Sequence, residues 1–161
     1  MKYYKNSQNQ IYAYDDDVSA EQIAKGLTEI SEEQVQKMRE PSIEQLREAK
    51  TAELARWTHD MGDSCKINLK DFGVINGGYR YLLNVEAMID TFDSLEIRAF
   101  RMHDNSMKKI NGQEDLKKIK RAIQIAGQKL HVLKWGYETA IEKAKTSKAL
   151  EAIKFADTIE V

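Results

Sequence analysis

Leu116, Ile119, Ile123, Ala126, Leu130, Leu133, Tyr137, Ala140 and Ala144 follow one another at alternating intervals of three and four residues, with Gln, Lys and Glu filling most positions between them. Such spacing keeps an apolar stripe on one side of a helix. The pattern predicts one long amphipathic helix with a heptad seam, started at Asn111 or Gly112 and broken at Thr146 or Ser147 before a short helix in KTSKALEAI. Upstream, Cys65, Ile67 and Leu69 alternate with Lys66, Asn68 and Lys70, the period of a half-buried strand. FGVINGGYRYLL then reads as further apolar residues around an Asn-Gly-Gly turn. Val85, Met88, Ile89 and Phe92 return to helical spacing. Ile97, Ala99, Met102, Met107 and Ile110 flank His-Asp-Asn-Ser as a hairpin would.

Towards the N-terminus, Ile43, Leu46, Leu54 and Trp57, with the stem of Lys50, mark a helix from Ser42 to Trp57. Tyr3 and Tyr4 precede the polar run KNSQNQ, and Ile11, Tyr12 and Tyr14 follow it. Strand-favouring residues on either side of an Asn/Ser turn predict a hairpin. Ser19 and Ser31 resemble N-caps for short helices in AEQIAKGL and EEQVQKM. Pro41, the only proline, divides a small hairpin and helix module (1–41) from an α+β domain ending in the long helix (42–161). The fold class expected is α+β: an N-terminal hairpin with short helices, a small antiparallel sheet, and the long C-terminal helix packed on it and on the Ser42 to Trp57 helix.

Composition narrows the functional classes. Charged residues make up 32% of the 161 and the formal charge is −1, so there is a heavily solvated surface without bulk attraction to phosphate. Cys65 is the sole cysteine, which excludes an intramolecular disulfide and a thiolate zinc cage and fits a reducing compartment. The opening MKYYKNSQNQIYAY has no apolar signal-peptide core, and no run is long enough to span a bilayer. Synthesis in the cytoplasm, without membrane association, is the expectation.

Three clusters have chemical potential. WTHDMGDSC contains His59, Asp60, Asp63 and Cys65, all able to bind metal, but at none of the established ligand spacings. The plainer account ends the helix near Gly62 and uses Asp63 and Ser64 as a turn. His103 and Asp104 are adjacent, and on a strand they point to opposite faces. Asp104, Asn105 and Ser106 are what a tight turn needs, because their side chains bond local backbone and Asn tolerates positive φ. Lys108, Lys109, Lys117, Lys118, Lys120 and Arg121 could meet phosphates, but Glu114 and Asp115 interrupt them and no stacking aromatic is interleaved. A solvated helix face is expected there, and no nucleic-acid partner. His131 falls just off the seam. No phosphate-loop or nucleophile-elbow motif occurs, and no cofactor is implied.

MKYYKNSQNQIYAYDDD followed by LTEISEEQVQKMREP resembles the opening of phage tail-fibre assembly proteins. The remainder is similar to an uncharacterised domain found in phage tail-fibre and tail-fibre-assembly proteins. Its recurring elements are an R-x-x-D-N turn (Arg101, Asp104, Asn105), K-W within a long helix (Lys134, Trp135) and an A-x-T-x-x-x-L-x-A-I ending (Ala144, Thr146, Leu150, Ala152, Ile153). The ending KFADTIEV departs from the pattern. The resemblance implies a non-enzymatic phage or prophage chaperone in tail-fibre assembly, or a structural component of the tail or fibre. Its partner would be a tail-fibre protein, and it would reside in the bacterial host cytoplasm or in the virion. A metal-dependent hydrolase using His59, Asp60, Asp63 or His103 is the rival from another class.

The seam suggests oligomerisation. A helix of that extent runs on the order of 45 Å, against roughly 25 Å for the Ser42 to Trp57 helix. Part of the stripe should therefore meet a second copy through Leu116, Ile119, Ile123, Leu130, Leu133 and Tyr137, with a trimer the first expectation and a dimer the second.

Overall fold

Two serines start helices by the same reciprocal device. Ser31 Oγ accepts from the Gln34 amide at 3.2 Å while Gln34 Oε1 accepts from the Ser31 amide at 2.9 Å. Ser42 and Gln45 repeat it at 3.2 and 2.8 Å, satisfying backbone donors that a helix start leaves free. Between the two caps, Glu40 is extended ahead of Pro41, as the proline ring requires of the residue before it. The computed structural model describes residues 1–161. They fall into two units, Met1–Gln45 and Leu46–Val161.

In the first unit β1 (Lys2–Lys5) pairs antiparallel with β2 (Ile11–Tyr14) and with β3 (Thr28–Ile30), giving the order β2-β1-β3, and α1 (Glu32–Arg39) follows. Tyr4, Ile30 and Val35 are buried. Tyr4 meets Tyr14 edge to face at 5.6 Å. The helix expected after Ser19 is absent. Ser19 instead closes a turn on Gln22, Gly26 takes φ +85°, and Thr28–Ile30 joins the sheet. Only Val18, Ile23 and Leu27 in that stretch are even half-buried, too little apolar surface to hold a helix against packing elsewhere.

In the second unit α2 (Ile43–Asp63) leads to β4 (Cys65–Leu69) and β5 (Gly73–Gly77), which pair antiparallel. α2 runs past Trp57 and through Gly62 to Asp63. The turn between the strands is at Lys70–Phe72, with Asp71 at φ +63°. The Asn-Gly-Gly segment is therefore no hairpin turn: Asn76 and Gly77 finish β5, and Gly78 precedes α3 (Tyr79–Asp90). Only glycine fits there, since φ is +102° and a Cβ would collide with the Asp63 carbonyl. β6 (Ala99–Arg101) and β7 (Met107–Lys109) form a hairpin before α4 (Gln113–Lys143) and α5 (Ser147–Glu151). The chain closes with β8 (Thr158–Glu160), which pairs parallel to β4, so the sheet β5-β4-β8 is mixed and not purely antiparallel. The class is α+β.

The N-terminal half of the α4 stripe is buried by its own chain, and the rest is partly so. Leu116, Ile119, Ile123, Ala126 and Leu130 are at most 7% exposed and join one core with Ile67, Ile75, Val85, Phe92 and Phe100. Further along, Tyr137 packs edge to face on Trp57 at 5.2 Å and on Phe155 at 5.0 Å. Arg47 of α2 donates to the carbonyls of Ile141 (3.4 Å) and Ala144 (3.0 Å), a cation where the α4 dipole is negative. The estimate that part of the stripe lacked a partner considered only α2. The sheet and α3 cover the N-terminal half.

Leu116→Ala should destabilise the protein by about 2–5 kcal/mol, because it opens a cavity in a closed core. Val132→Ala, on the outer side of the same helix at 62% exposure, should change stability by less than about 0.5 kcal/mol. Urea unfolding followed by circular dichroism measures both.

Candidate functional site

The WTHDMGDSC cluster is spread over the end of α2. His59 Nε2 lies 3.6 Å from Asp63 Oδ2, one helical turn away, and both side chains face solvent. Asp60 is exposed, whereas Cys65 is buried on β4, where desolvation pushes its thiol pKa up. No three His, Cys, Asp or Glu side chains come close enough to share a metal ion. Cys65 turns into the core on β4, away from the solvent-facing His59, Asp60 and Asp63 of α2.

At the tip of the β6–β7 hairpin, Asp104 Oδ1 accepts from the Ser106 amide (2.9 Å) and from Ser106 Oγ (2.6 Å). Asn105 takes φ +69°, and the Met102 amide donates to Ser106 O at 2.8 Å. Ser106 thus uses its hydroxyl within the turn. These bonds, that from Ser106 Oγ foremost, hold the Asp104 carboxyl below its ordinary range. His103 points away from Asp104's task. Its Nδ1 is 2.7 Å from Asn76 Oδ1, a contact that needs the ring proton on Nδ1, and its amide donates to Val74 O at 3.0 Å. The hairpin is thereby anchored to β5.

The seam residues Leu116, Ile119, Ile123 and Leu130 are core, and Leu133 and Tyr137 are half-buried within the chain. The first four are therefore covered by this chain, while Leu133 and Tyr137 keep part of their surface exposed. The apolar side chains that α4 does expose are Val132 and Trp135, at 62% and 60%, with His131 tilted 6.3 Å from the Trp135 ring.

The basic run divides in two. Lys117 pairs with Glu114 at 2.7 Å and Lys120 with Glu86 of α3 at 3.0 Å. Lys108, Lys109, Lys118 and Arg121 instead converge, with Lys70, on a groove of about 440 Å³. One wall is the β4–β5 turn and the end of β7; the other is the first half of α4. Leu69, Phe72, Ala122, Ile125 and Val161 supply apolar lining. Lys108 Nζ stands 4.0 Å from the Phe72 ring centroid and donates to Phe72 O. Asp71 and Asp115 also line the groove, and Asp115 accepts from the Asn111 amide at 2.9 Å. Lys70 and Phe72 escaped sequence reasoning because a turn brings them beside a helix that begins far along the chain. The only signal was the strand period ending at Leu69 before Lys-Asp-Phe-Gly.

No helix is long and apolar enough to cross a membrane. No protein-family profile, curated protein or solved structure matches the chain.

Two outcomes are expected. Leu130→Asp should abolish the cooperative thermal transition, because it buries an unpaired carboxylate, whereas a residue serving only an interface would dissociate into folded protomers. For Asp104 the folded pKa is depressed, so its contribution is present above the unfolded carboxylate range and lost as pH falls through the folded value. An NMR titration should place the Asp104 midpoint below that of a free aspartate, and Ser106→Ala should raise it.

Proposed function

We propose that the protein acts in phage tail-fibre assembly as a non-enzymatic interaction protein whose partner is a tail-fibre protein. The single observation behind this is a coincidence of boundaries. The segment that resembles the opening of tail-fibre assembly proteins ends at Pro41, and the unit Met1–Gln45 ends in the turn of helix just beyond it. That segment carries its own sheet and its own capped helix, as a separate module would.

Its surface chemistry suits a protein partner. β2 is an edge strand of the order β2-β1-β3 and carries Tyr12, 38% exposed, between Ile11 and Ala13. An edge strand with an aromatic can accept a neighbouring strand, with backbone bonds giving affinity and side chains giving selectivity.

Co-expression of the full chain with the neighbouring fibre gene tests the proposal. The fibre should be recovered in larger soluble amounts and as a complex with this protein, and Tyr12→Asp should reduce both. Unchanged fibre recovery with no isolable complex would remove the chaperone role. Stoichiometric presence of the chain in purified virions would instead make it a structural component.

A further inference from the structure

We propose that the groove between α4 and the β4–β5 turn is a binding site for an acidic peptide segment of a partner protein, in which carboxylates flank an apolar anchor side chain. Every residue of the groove lies within Leu46–Val161, so the site is complete without the N-terminal unit.

Charge gives the first half of the argument. Lys70, Lys108, Lys109, Lys118 and Arg121 line the groove together with only two carboxylates, Asp71 and Asp115. None of the five cations is in an ion pair, although Lys117 and Lys120 on the same helix each have one. Asp115 is engaged by Asn111, whose amide and side-chain nitrogen both donate to Oδ2. The local excess of positive charge therefore stands on a chain whose net charge is −1, a focused field and not a general one.

The lining gives the second half and selects among anions. Leu69 and Phe72 beside the turn and Ile125 on α4 add half-buried apolar surface to the same cationic groove. A bare inorganic anion would satisfy the lysines and leave that surface wet. A nucleic-acid strand would want an aromatic platform for its bases, but Lys108 stands over the Phe72 ring at 4.0 Å. A side chain such as Phe or Leu on the floor, with Asp or Glu on both sides of it, uses all three surfaces at once. At about 440 Å³ the space matches a site for one anchor and its neighbours, in the range of ordinary ligand clefts.

The probe is a fluorescein-labelled hexapeptide DEFLED, followed by fluorescence polarisation with the full-length protein. Saturable binding is expected, tighter than about 1 mM and weakening as salt rises, since these contacts are solvent-exposed. Lys118→Glu combined with Arg121→Glu should weaken it about tenfold or more, with an unchanged circular-dichroism spectrum because both side chains are exposed. Amide-for-acid replacement in the peptide should have a similar effect. On the unmodified protein, amide shifts induced by the peptide should cluster at 69–72 and 118–125. Equal binding by the uncharged peptide, shifts clustered elsewhere, or a single-stranded oligonucleotide that displaces the peptide at lower charge-matched concentration would each overturn the proposal. So would the absence of saturable binding.

Discussion

Burial of the α4 stripe by its own chain is the constraint on which the rest of the second unit depends. A fully buried Leu or Ile contributes about 1.5–3 kcal/mol, and Leu116 and Ile119 are wholly buried with Ile123 close behind. Three such residues are comparable with the entire net stability of an ordinary domain, about 5–15 kcal/mol. Within the chain, that burial ties α4 to the sheet and to α3. A heptad core and a heptad interface obey the same packing rule, so the spacing alone does not separate them.

The same constraint explains the C-terminal segment. Beyond Leu130 the helix leaves the sheet, and its surface is covered by Trp57 of α2 and by the chain returning after α5. Trp57 Nε1 donates to Ala156 O at 2.7 Å and the Ala156 amide donates to Tyr137 Oη at 2.9 Å. Ala156 is thus held on both of its backbone groups. That hold delivers Thr158–Glu160 to the edge of β4 as a parallel strand, with Lys129 of α4 donating to Glu160 O at 2.6 Å. Val161, just past the strand, then helps to line the basic groove. The stripe, the sheet and the groove therefore share α4 and the C-terminal segment.

Legibility in the sequence followed the range of the forces involved. α4 was plain because its pattern repeats over many turns, and Cys65–Leu69 because strict alternation has few rivals. The hairpin turn was legible from Asp104, Asn105 and Ser106, whose side chains bond within a few residues. What failed depended on distant partners. Thr28–Ile30 becomes a strand because β1 is there to pair with it, and Thr158–Glu160 because β4 is. Asn76-Gly77-Gly78 has turn composition, yet its glycines answer close packing on Cys65 and Ile67 and on the Asp63 carbonyl. The groove was half legible: the lysines of 108–121 were visible as a run, but the pairing of Lys120 depends on Glu86 and the opposite wall on Lys70 and Phe72, all far away in sequence.

The claim that the stripe is satisfied within one chain is tested most directly by the concentration dependence of unfolding. Urea or thermal midpoints of the full-length protein, measured by circular dichroism across a hundredfold dilution into the low micromolar range, should coincide, because folding that uses only intramolecular burial has no association step. A midpoint that falls steadily on dilution, with α4 melting in the same transition, would show that the stripe depends on a second copy and would contradict the account.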